Sequence, residues 1–330
     1  MSRRHSRGPD KTGTVRATLA TLMLVAAVTG HAQPYPAKPV RVVLTISGGG
    51  ETNARVVMDR MSQVLGQPFV VDAQSGAGGA VGATAVARAA ADGYTLLYGT
   101  NSAMSLRRYL VKDMPYDTLR DFVPVAKIGE ATSAVAAGAN SPFKTLADVI
   151  DYAKKNPGKV SYGTPGIGTT HHLSGVLIEQ MTGVQMVHVP YKSSPQSTTD
   201  LIGGRVDIVF TTLSTFLPFV DSGKLRIVAI NGGSRYDKLP DVPTVNDLLP
   251  GFERPSSWIG VFAPTGTPPV VVKRLSDEFV KQVGLPEVRA RIGSLGTMAD
   301  PMTSEQFGAF VRRDVESVGR LMKAAGIQPE

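Results

Sequence analysis

An α/β architecture of two similar lobes follows from three features of the sequence. Short apolar runs alternate with amphipathic helical stretches, the alternation occurs twice, and glycine turns join strands to the helices after them. At 330 residues the chain has room for two lobes, and 42% hydrophobic with 19% charged residues marks it as globular rather than disordered. Its 35 glycines and 23 prolines supply the many turns that such a fold needs.

The elements read in order as follows. Residues 1–32 carry Arg3, Arg4, Arg7, Lys11 and Arg16, then the apolar run Ala17 to Val28, then Gly30-His31-Ala32. A charged start, a short apolar stretch and a small-x-small site form an export signal, with cleavage expected after Ala32 and a mature start at Gln33. Its apolar run is short of the ~20 residues that span a bilayer.

Val40 to Leu44 reads as a buried strand, followed by the turn Gly48-Gly49-Gly50 and a helix from about Thr52. Val56, Val57, Met61, Val64 and Leu65 fall on one face of that helix, which Gly66 stops. Phe69 to Val71, the helix Ala80 to Ala90 and the strand Tyr94 to Tyr98 complete the first run. The second run has a strand at Val160 to Tyr162 and a helix at Thr170 to Met181, with Leu173, Val176, Leu177 and Met181 inward. Val187 to Tyr191, Val206 to Phe210 and Ile227 to Ile230 are further strands, and helices Val270 to Val283 and Ser304 to Ala325 return to the first lobe. Such alternation predicts parallel sheets covered by helices, with strand crossings near Ala134 to Ala137 and Ser257 to Ala263.

Several functions are disfavoured at this level. The net charge of +8 is half contributed by residues 1–32, and the rest is too dilute to track phosphates, so nucleic acid is not an expected partner. The absence of cysteine removes disulfides, thiol catalysis and zinc–thiolate sites. There is no Gly-x-Ser-x-Gly elbow, no His-Glu-x-x-His and no phosphate loop ending in Gly-Lys-Ser/Thr. Gly76-Ala77-Gly78-Gly79-Ala80-Val81-Gly82 has the wrong spacing for a dinucleotide fingerprint and follows the second strand, not the first. His171-His172 are adjacent, so on a helix they point about 100° apart and cannot share one metal ion from one face. Neither a metal nor a cofactor is expected.

The candidate site lies at strand ends. Ser47, Gly48, Gly49, Gly50 and Asn53 follow the first strand, and Gly166, Gly168, Thr169 and Thr170 follow a strand of the second run. Each turn opens a helix, so each presents backbone N–H groups and a positive dipole end where open α/β sheets bind ligands. Thr52 and Thr170 simply capping their helices is the plainer alternative. Thr211 and Thr212 end a third strand, while Asn101, Arg107 and Arg108 follow the strand ending at Gly99. The arginines suit a bidentate carboxylate, although exposure on an ordinary surface explains them as well.

The sequence also resembles a known receptor family. The resemblance is carried, in order, by Tyr35-Pro36-Ala37-Lys38-Pro39-Val40-Arg41, Gly49-Gly50, Gly76-Ala77-Gly78-Gly79, Asp92-Gly93-Tyr94-Thr95-Leu96-Leu97, Pro115-Tyr116-Asp117 and Asn156-Pro157-Gly158-Lys159. His188-Val189-Pro190-Tyr191-Lys192, Gly223-Lys224-Leu225-Arg226 and Leu239-Pro240-Asp241-Val242-Pro243-Thr244 continue it. Together they resemble the Bug (Bordetella uptake gene) family, the periplasmic receptors of tripartite tricarboxylate transporters. That resemblance implies a type II periplasmic-binding-protein fold, two lobes closing over a carboxylate held largely by backbone amides and waters. Departures at Ser47, Gly48, Asn53, Arg107-Arg108, Ser193 and Thr211-Thr212 bear on ligand choice.

The expectation is therefore a non-enzymatic, monomeric solute receptor of the periplasm that passes a small organic carboxylate to membrane permease subunits. Lobe 1 comprises 33–134 and 258–330, and lobe 2 comprises 135–257. A dicarboxylate or aromatic carboxylate without an amine fits best, because an ammonium group needs a buried acid and only Glu51 is in reach. A periplasmic sensor and a periplasmic α/β hydrolase are the alternatives.

Overall fold

The computed structural model describes residues 1–2 and 35–329, except 233, 234, 237, 253, 255 and 325–328. The export signal read over residues 1–32 lies almost wholly outside the described residues. Residues 1–37 group apart from Lys38–Glu330, and the second unit holds every element below.

Strand β1 (Val40–Leu44) leads into α1 (Gly49–Leu65), β2 (Phe69–Ala73), α2 (Ala80–Ala87) and β3 (Thr95–Thr100). After α3 (Thr118–Asp121), β4 (Phe122–Ala131) and β5 (Ser133–Gly138) follow almost without a break. The second run is α4 (Leu146–Lys155), β6 (Val160–Thr164), α5 (Thr170–Thr182), β7 (Met186–Pro190), α6 (Ser194–Ile202), β8 (Ile208–Thr212), α7 (Leu213–Asp221) and β9 (Leu225–Ile230). After α8 (Val245–Leu248) come β10 (Trp258–Pro264), α9 (Pro269–Gly284), α10 (Pro286–Ser294), β11 (Thr297–Met302) and α11 (Ser304–Ala324).

Two sheets result, ordered β11-β4-β10-β3-β1-β2 and β7-β6-β8-β5-β9. In the first, β1 runs parallel to β2 and β3, with Val42 opposite both Val71 and Leu96. In the second, β6 runs parallel to β7 and β8. Neither sheet is wholly parallel, contrary to the sequence expectation: β10 is antiparallel to β3 and β4, and β5 is antiparallel to β8 and β9. Parallel neighbours need a crossover connection of their own, whereas β5 is reached directly from the other sheet across Thr132 alone. The two passages between sheets touch where Ser133 Oγ and Ser257 Oγ lie 3.4 Å apart.

Local chemistry sets the helix ends. Thr169 caps α5 by accepting from the His172 N–H, and Gly183 closes it in the left-handed conformation (φ 70°). Thr145 and Asp148 form a capping box on α4. Helix α1 begins at Gly49, three residues before the expected start, and its buried face is Ala54, Val57, Met58 and Met61 while Val64 is exposed. Leu173 is buried as expected on α5 and so is Ile178, but Met181, also expected inward, is exposed. Both errors sit in a helix's last turn, where sequence spacing alone does not say how far the neighbouring layer extends.

The first sheet's core gathers Trp258, Phe262 and Phe307, with Trp258 and Phe307 edge to face at 5.3 Å. Lys127 is buried beside it, ion-paired to Asp300 at 2.6 Å and Glu130 at 3.1 Å. The second sheet packs Tyr162, Phe210 and Val149 on one face and Phe216, Leu213 and Val209 on another. Among the described residues no helix is long and apolar enough to cross a membrane.

Candidate functional site: a cavity ringed by helix starts

A cavity of about 80 Å³ lies where the carboxyl ends of the parallel strands approach one another. Ser47 and Gly50 bring the start of α1 to it, Gly76, Gly78 and Gly79 the turn before α2, and Thr169, Thr170 and His171 the start of α5. Lys192, Ser193 and Ser194 add the start of α6, and Thr212 and Ser214 that of α7. Five helices thus direct their positive ends and first-turn N–H groups at one small space. Lys192 is the one lining side chain with a full charge, and no carboxylate lines the cavity among the described residues. Glu51, the nearby acid, turns away to pair with Arg55 at 2.6 Å.

The walls from the two sheets are already in contact. The Thr170 N–H donates to Ser102 Oγ at 3.1 Å, joining the start of α5 to the turn after β3. Gly48 has φ 68°, and a Cβ there would lie 3.0 Å from Pro195 Cγ in α6. Gly78 has φ 62°, and a Cβ there would sit 3.0 Å from Arg107 Nη1. At both positions only glycine combines this backbone with so close an approach.

Of the residues singled out from sequence, Ser47, Gly50, Asn53, Asn101, Thr169, Thr170 and Thr212 line this cavity. Gly48 is the N-cap of α1, which begins at Gly49. Thr211 is fully buried and donates its hydroxyl to Ser194 Oγ at 2.7 Å, so it steadies the start of α6 from behind. Arg107 and Gly166 line a neighbouring hollow with Gly78, Tyr191 and Lys192, and Gly168 lies beside Arg107. Arg108 lines neither space; its guanidinium lies 3.8 Å from Asp117.

Sequence reasoning missed Ser75, Ser102, Lys192, Ser194 and Ser214 as lining residues, and marks Ser193 only as a departure that bears on ligand choice. The signal was present: Ser193 follows β7 and caps α6, repeating the strand-then-helix-start pattern already recognised after β1 and β6. Gly76, Gly78 and Gly79, whose spacing does not fit a nucleotide motif, form a wall of the cavity.

His171 is buried in this wall, while His172 stacks on His188 with centroids 4.2 Å apart. Burial, and then the Arg254 charge, pull the His171 pKa down to about 3 from an ordinary value of 6.5. The folded state therefore binds fewer protons than the unfolded state between those values, and stability falls as pH drops through 6.5. Between pH 7 and pH 5 this residue is expected to withdraw about 2 kcal/mol of stability. Denaturant unfolding at both pH values should show that loss in the wild type and a smaller one in His171→Gln; equal losses would contradict it.

Comparison with known proteins shows the family and the fold. Residues 53–327 match the model of the tripartite tricarboxylate transporter family receptor, TctC. The chain is 32% identical to protein BugT of Bordetella pertussis over 320 residues, covering 93% of this chain and 97% of that one. Among solved structures, it is similar to R. palustris Rpa4515 with adipate, at TM-score 0.86 and 31% identity, covering 90% of this chain and 100% of that one. It is also similar to MatC (Rpa3494) from Rhodopseudomonas palustris with bound malate, at TM-score 0.78 and 28% identity, covering 86% and 98%. The chain belongs to the TctC family of tripartite tricarboxylate transporter receptors, the Bug-type periplasmic binding proteins.

Proposed function

We propose that this receptor, a binding protein and not an enzyme, captures a small dicarboxylate and hands it to the membrane permease of a tripartite transporter. An aromatic carboxylate is the second choice. Export with loss of residues 1–32, action as a monomer, and closure of lobe 1 (33–134 and 258–330) on lobe 2 (135–257) belong to the same reading.

The observation that carries it is the charge character of the cavity. Helix starts and hydroxyls surround it, Lys192 stands at its edge, and no acid lines it among the described residues. An anion there gains charge-assisted hydrogen bonds from preorganised donors. An ammonium group would be buried with no counter-charge, which is strongly disfavoured. The adipate and malate held by the two similar proteins are both dicarboxylates, which supports the same class here. Lys192 lines both the cavity and the hollow that holds Arg107, so it is the residue suited to a second carboxylate, with Arg107 serving longer ligands.

Thermal-shift screening tests this reading. A ligand at ~100 times its Kd should add about 2.7 kcal/mol, raising the melting point by roughly 5 °C. Dicarboxylates should produce that shift; stabilisation by amino acids or polyamines without any by carboxylates would overturn the proposal. Lys192→Ala should weaken dicarboxylate binding roughly ten- to a hundredfold, as expected for a lost charge-assisted bond. Calorimetry finding no change would remove the lysine from the site.

A further inference from the structure

One guanidinium beside the cavity has no counter-charge. Arg107 is half-buried, its Nε has no hydrogen-bond partner, and no carboxylate among the described residues pairs with it. Burial holds its pKa below the usual value, as expected for a cation drawn out of water. Its neighbour Arg108, by contrast, lies 3.8 Å from Asp117. The Arg107 Nη1 sits between the turn before α2 and the start of α5: a Cβ on Gly78 would meet it at 3.0 Å and one on Gly168 at 3.5 Å.

Arg107 lines a hollow of about 360 Å³ together with Lys192, which is exposed and has no ion pair among the described residues either. Leu110, Val111, Pro165, Ile167 and Pro190 give it apolar walls, and no acid lines it among the described residues. Asp200, the acid that the lining residue Tyr191 reaches with its hydroxyl at 3.0 Å, is already paired with Arg205 at 2.7 Å. Ile167 is 46% exposed, so the hollow opens to solvent on its own side. A half-buried charge without a partner is costly, and a planar guanidinium matches an oxyanion through two parallel N–H bonds. A ligand long enough to reach Arg107 supplies that oxyanion itself. A short one, held in the cavity, leaves the arginine uncompensated.

Resting in part on the carboxylate reading, we propose that the hollow is a second anion site, separate from the cavity. There Arg107 and Lys192 hold a free oxyanion, of the kind that inorganic phosphate represents, while a short ligand occupies the cavity.

Calorimetry tests this with inorganic phosphate as the probe, titrated at constant ionic strength into protein saturated with succinate. The wild type should take up one phosphate at millimolar concentration. Arg107→Met, which keeps an unbranched stem, should weaken that binding tenfold or more, the worth of a lost charge-assisted bond. Ile167→Glu brings a carboxylate to the hollow and not to the cavity; it should do the same and guards against a misfolded arginine variant. Adipate in place of succinate identifies the source of the group: if it displaces phosphate, a long ligand's own far carboxylate fills the hollow, and if both bind, the hollow is kept for free oxyanions. No phosphate binding beside succinate, displacement of phosphate by succinate, or equal phosphate affinity in all three proteins would overturn the proposal and leave the carboxylate reading intact. If succinate itself does not bind, phosphate titrated alone decides the hollow separately: a tenfold loss in Arg107→Met supports it, and equal affinity overturns it.

Discussion

Replacing Thr212 by aspartate is expected to cut dicarboxylate affinity by a hundredfold or more without unfolding the protein. Thr212 is the N-cap of α7, makes no side-chain cap hydrogen bond there, and lines the cavity. Aspartate is among the best N-cap residues and is favoured by the helix dipole, so the fold should tolerate it. The added charge, however, would face the ligand. Two like charges about 5 Å apart at an effective dielectric near 20 repel by about 3 kcal/mol, more than a hundredfold in Kd. Thr212→Ser keeps the hydroxyl and should stay close to wild type. Calorimetry with the strongest dicarboxylate decides the matter, and unchanged binding by a folded Thr212→Asp variant would place the anion elsewhere.

Trp258→Ala should produce the largest loss of stability. This is the only tryptophan, it is fully buried, and it packs against Phe262, Phe307 and Phe310 at 5.9, 5.3 and 6.2 Å. Truncating a buried tryptophan typically costs about 3–5 kcal/mol. The change also takes a donor from Asp314, whose pKa is already raised by burial. A fall in melting point of about 10 °C is expected, followed by circular dichroism. Trp258→Phe keeps most of the packing and should lose much less. A melting point within a few degrees of wild type for the alanine variant would mean that the core around β10 repacks.

Local signals explain what could be read from the sequence. Val40–Leu44 is found where the apolar run put it, and α5 starts at Thr170 because Thr169 is a strong cap. The strand-end turns at Ser47–Gly50 and Thr169–Thr170 reach the cavity because helix starts after parallel strands share one edge of a sheet. What escaped depends on distant partners. Asn101 meets Asp314 across 213 residues and Asn53 meets Leu295 across 242, so no local pattern shows how either amide is held. Arg107 and Arg108 are neighbours in sequence, yet one borders the hollow by Gly78 and the other faces Asp117. The antiparallel β5 and β10 likewise depend on which sheet the chain has just left.

The claim that the cavity selects negative charge is tested most directly by a series of equal length and different charge. Adipate, 6-aminohexanoate and 1,6-diaminohexane present two carboxylates, one carboxylate with one ammonium, and two ammonium groups. Titrated into the wild-type protein by calorimetry, adipate should bind at one site, 6-aminohexanoate much more weakly, and the diamine not at all. Binding of 6-aminohexanoate or the diamine as tight as that of adipate would contradict an anion-selective cavity.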